Sequence, residues 1–309
     1  MKFSKLLVCG VIALFSLVVV AQTIIEGDDS GDQNKVIHRS GCGYTKPLRV
    51  AGMIGNPPFG WVERHDERIS KDLESYGLGR EILDKIAQQM GISYISMGFL
   101  SYTKAINALK RGDIDLLLGM YYNRTDLGLG TIVVEPSYFT NIFTVYFKKG
   151  KELSISSFND LSGLRGIVRR EEQIYPLIYR KLPIGVELTQ VSTAKKAYEM
   201  LMNDEADYLL GSPYSQEAEL RRFKLNNEIV PGSQVLDNSN LFFVFSSNSD
   251  CRKLREKFSE ILESDTLSAS EIDTTIRRVI DNWGERFRDE KGLLDEDDEE
   301  ESPSNSNDS

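Results

Sequence analysis

A helix, turn and strand unit occurs twice in this chain, and that repeat restricts the fold more than any other feature. The first copy reads Leu109-Lys110-Arg111-Gly112-Asp113-Ile114-Asp115-Leu116-Leu117-Leu118-Gly119. The second, 92 residues later, reads Leu201-Met202-Asn203-Asp204-Glu205-Ala206-Asp207-Tyr208-Leu209-Leu210-Gly211. Each places an acid, Asp115 or Asp207, immediately before a short apolar run. Such runs suit strands buried on both faces and fed by a crossover helix, so the chain reads as two α/β lobes with one unit in each. The alternative is chance likeness between two ordinary αβ units. Helical stripes precede both strands: Tyr102, Ala105, Ile106 and Leu109, ending near Gly112, and then Ala194, Ala197, Tyr198 and Leu201. Upstream, Leu78, Ile82, Ile86 and Met90 share one helical stripe that Gly91 should stop, and Leu48-Arg49-Val50-Ala51-Gly52 reads as the first strand.

A length of 309 residues with 40% hydrophobic and 27% charged positions agrees with two lobes. At the amino end Lys2 and Lys5 precede an apolar run from Leu6 to Ala21, and Val19-Val20-Ala21 offers small-residue cleavage chemistry, so residues 1–21 read as a signal peptide. An uncleaved anchor is the competing reading, because the run approaches the roughly 20 residues that span a bilayer. Residues 22–46 are polar and rich in Gly and Asp, which reads as a flexible leader. Removal of Cys9 with the signal leaves Cys42 and Cys251, an even pair suited either to a disulfide in an oxidising compartment or to two buried thiols. With only His38 and His65 beside them, nothing is spaced as a metal site.

The formal charge of −10 is concentrated at the carboxyl end, where residues 289–309 carry ten acids and one base, Lys291. The rest of the chain is therefore −1, with no basic field for nucleic acid. The tail lacks apolar residues to order itself and reads as a disordered appendage.

Ligands of open α/β sheets sit beyond the carboxyl ends of the strands. The residues after Gly119 (Tyr121, Tyr122, Asn123, Arg124) and after Gly211 (Ser212, Pro213, Tyr214, Ser215) are therefore cleft candidates, each with a plain reading as surface loop. Glycine at such a strand end permits a sharp turn and close approach to a bound molecule. Phe59, Trp61, Tyr102, Tyr121 and Tyr122 offer aromatic walls, with core packing the equal competitor. Catalysis finds little support. His65 and His38 adjoin no nucleophile motif, Gly211-Ser212-Pro213 is not a nucleophile elbow, and no phosphate loop is present. Asp113 and Asp115, two residues apart, read as a turn and a solvated strand edge rather than an acid–base pair.

Taken in order, several motifs resemble the extracellular solute-binding proteins of family 3, the substrate-binding components of ABC importers for amino acids and related polar solutes. They are Leu48-Arg49-Val50, Asn56-Pro57-Pro58-Phe59, the helix ending at Gly91, Ala108 to Asp115, Gly119-Met120, Glu135-Pro136-Ser137-Tyr138-Phe139, and Asn159 to Gly166. The resemblance spans about Leu48 to Glu263. It implies a type II periplasmic-binding-protein fold, with a ligand cleft between two lobes joined by two crossing strands near Ser137 to Asn141 and Leu236 to Asn240. Residues 47–138 and 239–288 would form the first lobe and 139–238 the second. Cys251 then falls in the first lobe and Cys42 immediately before its first strand, which favours the disulfide.

The resemblance also implies a site. Family contacts map onto Asn56, Tyr102 and Tyr121 in the first lobe and onto Arg169, Arg170, Glu171 and Glu172 in the second, with Asn123 and Arg124 following the first repeat. Two positions depart from the pattern: Asp126 stands where an arginine usually grips the amino-acid carboxylate, and Ser212 where an aspartate usually takes the ammonium. Arg124, two positions from Asp126, is a candidate for a displaced arginine. The implied function is capture of a small polar or anionic solute by a periplasmic monomer that works with an ABC permease, without catalysis, cofactor or nucleic acid. A ligand sensor and a dehydratase-like enzyme on the same fold are the alternatives.

Overall fold

The computed structural model describes residues 41–52, 55–64, 73–99, 102–121, 130–169 and 178–286. Twelve strands are present among them. They are β1 (Leu48–Ala51), β2 (Trp61–Arg64), β3 (Leu73–Tyr76), β4 (Tyr94–Ser96), β5 (Leu116–Tyr121), β6 (Thr131–Val133), β7 (Phe139–Lys148), β8 (Gly166–Arg169), β9 (Leu188–Val191), β10 (Tyr208–Gly211), β11 (Ile229–Pro231) and β12 (Asp237–Ser246). The α-helices described are α1 (Leu78–Met90), α2 (Tyr102–Arg111), α3 (Ala194–Met202), α4 (Pro213–Phe223), α5 (Arg255–Leu262) and α6 (Ala269–Arg286).

Ten strands join in the order β4-β1-β5-β12-β7-β10-β8-β9, with β6 on β12 and β11 on β7, while β2 and β3 form a separate hairpin. Flanking strands are parallel to their neighbours, β1 with β4 and β5, and β8 with β9 and β10. At the centre the two long strands run antiparallel, Phe139–Phe143 of β7 opposite Leu241–Asp237 of β12. Beyond that pairing each continues alone. The rest of β7 pairs with β10 and β11, and the rest of β12 with β5 and β6. The result is two α/β lobes joined by two crossing strands.

Local sequence accounts for the elements. β5 and β10 are buried at every position, as strands covered on both faces require. α1 buries Leu78, Ile82, Ile86 and Met90 and stops at Gly91, whose φ of 67° places it in the left-handed region that a glycine cap adopts readily. α3 buries Ala194, Ala197, Tyr198 and Leu201, and the Thr193 hydroxyl caps it by accepting from the Lys196 amide at 3.1 Å. In α2, Ala105 and Leu109 are buried, while Tyr102 and Ile106 are partly buried against the same cluster.

The two repeats share a further device that the sequence reading missed. The Arg49 amide donates to Asp115 Oδ2 at 2.8 Å and its guanidinium to Oδ1 at 2.7 Å, while the Asp115 amide donates back to the Arg49 carbonyl at 2.8 Å. In the second lobe Arg165 does the same to Asp207, at 2.7, 2.7 and 2.8 Å. Each acid thus locks the start of its strand to the start of the neighbouring one. Asp115 is buried, at 2% exposure, rather than lying on a solvated edge. A carboxylate can be buried there because the arginine fork and the Ser249 hydroxyl, at 2.6 Å, satisfy it. Asp113, paired with Arg111, remains exposed.

Cys42 and Cys251 form a disulfide, with Cα atoms 5.1 Å apart across 209 residues of sequence. Cys251 is buried, and its amide donates to the same Ser249 hydroxyl at 3.0 Å, so the crosslink and the first clamp form one network. Among the described residues no helix is long and apolar enough to cross a membrane.

Candidate functional site

The site is built around the crossing strand β7. Phe139, Phe143, Val145 and Phe147 on one face of it belong to the main apolar cluster, and Asn141 shares that face at 1% exposure. A carboxamide buried among aromatic rings must find partners. Asn141 Nδ2 donates to the Tyr121 hydroxyl at 2.7 Å, and Asn141 Oδ1 accepts from the Ser212 hydroxyl at 2.6 Å. Tyr121 arrives from the first lobe and Ser212 from the second.

A bulge aims Tyr121. Between the pairs Leu117–Val244 and Met120–Phe242, β5 places Leu118 and Gly119 against the single residue Phe243. Gly119 has φ 77°, which an L side chain resists. The extra residue reverses the alternation, so that Met120 packs in the cluster with Leu117, while Tyr121 joins Leu116 and Leu118 on the side of Asn141. Gly119 therefore lies within the strand rather than ending it. At Gly211 the missing side chain leaves room for Gln216, whose amide nitrogen would stand 2.6 Å from an added Cβ. That space is filled from within the lobe and not left for a ligand.

Ser212 is the N-cap of α4, with Pro213 following at N1. A serine there ordinarily accepts from an amide of the first turn. Here its side chain makes no cap hydrogen bond, because the hydroxyl is directed to Asn141 instead. One turn on, the Ser215 hydroxyl donates to Asn56 Oδ1 at 3.2 Å, and both residues are buried. Asn56 is held in a tight loop by amide hydrogen bonds with Gly60 at 2.9 and 3.0 Å. Three aromatic rings from neighbouring positions pack on one another. Phe59 lies 5.5 Å from Phe139 and 6.1 Å from Tyr214, and Phe139 lies 5.1 Å from Tyr214.

Charge enters at the end of β8. Arg169 is buried at 6% exposure, and Nη2 donates to the Gly55 carbonyl of the first lobe at 3.2 Å. Its Nη1 stands 3.7 Å from Glu219 on α4, which in turn stands 3.6 Å from Arg222. Arg222 lies over the Trp283 ring of α6 at 5.9 Å. Two guanidinium groups thus stand near one carboxylate.

The structure therefore brings Asn56, Tyr121, Arg169 and Ser212 around one junction. Tyr102 packs against the cluster of Ala105, Leu109 and Leu117, where burial pushes its phenol up. Trp61 packs against Tyr76 and against Trp283, the ring under Arg222. Asn123, Arg124, Asp126, Arg170, Glu171 and Glu172 lie outside the described residues. Sequence reasoning missed Asn141 as the centre and Glu219 as the partner of Arg169. A polar residue in phase with the apolar positions of Phe139-Thr140-Asn141-Ile142-Phe143 was the available signal for the first. An acid on the buried side of α4 was the signal for the second.

Comparison with solved structures places the fold. An amino acid ABC transporter substrate-binding protein, AbpA from Streptococcus pneumoniae bound to L-arginine, matches with TM-score 0.59 at 15% identity, covering 77% of this chain and 95% of that one. The periplasmic VFT2 domain of Bordetella pertussis BvgS matches with TM-score 0.58 at 18% identity, covering 75% and 92%. The arginine-bound form of truncated ArgBP from T. maritima matches with TM-score 0.53 at 19% identity, covering 71% and 95%. No protein-family model matches the chain. No curated protein matches its sequence. The fold is the type II periplasmic-binding-protein fold, a two-lobed α/β architecture with its cleft between lobes joined by crossing strands. Substrate-binding proteins and a histidine kinase sensor domain are among the structures of this likeness.

Proposed function

We propose that this chain is a periplasmic solute-binding protein of family 3 that captures a small polar solute by lobe closure and delivers it to an ABC permease. The observation that carries the reading is the convergence of Asn56 and Tyr121 from one lobe with Arg169 and Ser212 from the other, at the strand that joins them. In this reading residues 47–138 and 239–288 are the first lobe, 139–238 the second, and residues 1–21 a cleaved signal. The protein acts as a monomer and performs no catalysis. Hinge closure about β7 and β12 requires rotation of only a few residues.

The solute is not a zwitterionic amino acid held in the usual family manner, because Asp126 and Ser212 replace the gripping arginine and aspartate. The buried guanidinium of Arg169 at the junction supports a solute with an anionic group. A thermal-shift panel of amino acids, dicarboxylates and other small anions tests this. A ligand at a hundred times its dissociation constant stabilises by roughly 2.7 kcal/mol, a readily measured shift. The expected response is to an anionic solute, weakened in Arg169→Ala or Arg124→Ala. A saturable response to a common amino acid that survives Arg124→Ala and is lost in Ser212→Ala overturns the assignment.

A second reading is a ligand-sensing module. The likeness to the BvgS VFT2 domain and to a histidine kinase sensor domain, the latter at TM-score 0.57 and 16% identity, favours it. Release of bound solute to a reconstituted permease distinguishes transport from sensing.

A further inference from the structure

We infer that Glu219 is a positioning residue of the solute site, a buried carboxylate on α4 that sets the direction of the Arg169 guanidinium. The inference rests on the reading of the junction as that site. Ser212, Ser215, Glu219 and Arg222 follow one another at helical spacing and form one polar stripe along α4. Ser212, Ser215 and Glu219 are each at least nine-tenths buried, although such residues ordinarily face water. Each has a counterpart at the junction. Ser212 donates to Asn141, Ser215 donates to Asn56, and Glu219 faces Arg169.

A guanidinium as buried as that of Arg169 requires a counter-charge nearby. In the two strand clamps a close fork supplies it, with Asp115 and Asp207 accepting from Arg49 and Arg165 at 2.7 Å. Glu219 acts differently. Its carboxylate stands 3.7 Å from Arg169 Nη1, beyond hydrogen-bond reach, so it balances the charge without taking one of the donors. The helix holds it at that distance. Arg222, three residues on, draws the same carboxylate from its other oxygen at 3.6 Å, and the Tyr198 hydroxyl of α3 ties α4 in place by donating to Gln216 Oε1 at 2.8 Å. A neutral side chain at position 219 would leave the Arg169 and Arg222 guanidinium groups on either side of an uncharged group. Their repulsion in a buried setting would turn Arg169 from its present direction.

The test reads Arg169 directly and then reads binding, on the full chain carrying isotope-labelled arginine. Nuclear magnetic resonance signals of the Arg169 side chain are assigned by their loss in Arg169→Lys. A held guanidinium rotates slowly and keeps its Nη signals apart. Glu219→Gln is expected to merge them, whereas Glu219→Asp, which retains the charge, keeps them apart. The signals of Arg49 and Arg165, each in its own clamp, stay unchanged and serve as controls. Calorimetric titration with succinate and with inorganic phosphate is the second reading. Affinity for whichever anion the parent chain binds is expected to fall roughly tenfold or more in Glu219→Gln and to be largely kept in Glu219→Asp. Circular dichroism checks that the variants fold. If Glu219→Gln does not, Arg222→Gln, which withdraws the second hold on the carboxylate, replaces it, with the same merging expected. A role in stability alone predicts a lower melting temperature with the Arg169 signals and the affinity unchanged. That result, or tighter anion binding in Glu219→Gln, overturns the inference and leaves the proposed function standing. A parent chain that binds neither anion nor any other member of the panel tells against the proposed function, while the Arg169 signals still decide whether Glu219 positions that side chain.

Discussion

Asp115 shows how one residue can be read correctly for position and wrongly for environment. Its place before an apolar run marked a strand start, but nothing local announced that Arg49, 66 residues away, would bury it. Burial alone would raise its pKa, yet the Arg49 guanidinium and the Ser249 hydroxyl hold it below the ordinary carboxylate range. Its contribution to stability is therefore complete above the unfolded value of about 3.9 and lost as pH falls through the lower folded value. Asp115→Asn is expected to cost about 3 kcal/mol at neutral pH, since it leaves Arg49 partly buried without its counter-charge. Urea titration at pH 7 and pH 3 measures it, and the gap between parent and variant should narrow at the lower pH. In the second lobe the hydrogen bond from Arg165 likewise lowers Asp207. Arg165 is exposed, so Asp207→Asn should cost less than Asp115→Asn in the same titration.

The bulge in β5 belongs to the next scale, because its effect is on the direction of a whole strand end. Gly119→Ala forces a Cβ into the left-handed region, at a cost of roughly 1–2 kcal/mol. If the strand instead relaxes to regular pairing, Tyr121 turns toward the opposite face and leaves Asn141. Tyrosine fluorescence or a crystal structure of the variant distinguishes the two outcomes. The loss of stability is expected either way. Helices were the most legible elements: the stripes of α1 and α3 and the stop at Gly91 follow from apolar spacing and from glycine's freedom at positive φ. β7 was harder, because Asn141 and Thr144 interrupt its apolar run while being buried in the structure. A single polar residue in phase with a core stripe signals a partner without naming it.

At the scale of the whole molecule the disulfide ties the first described turn to the segment after the last strand. Cys42→Ala/Cys251→Ala is expected to lower stability by about 2–5 kcal/mol, through the long loop that the bond closes. Comparing chemical denaturation of the oxidised parent with this variant measures it. The loss should appear as a lower midpoint in both lobes if they unfold together, and in the first lobe alone if they do not.

The sequence by itself determined the two repeated αβ units, their helical faces and the cysteine pair. Those follow from periodicity and residue chemistry over a dozen positions, which local physics controls. Tertiary structure decided what the polar residues do. Asp115 met Arg49, Arg169 met Gly55 and Glu219, and Asn141 joined Tyr121 to Ser212, through contacts that span 20 to 114 residues of chain. A buried polar group takes whichever partner folding delivers to it, and that delivery depends on how two crossing strands bring the lobes together.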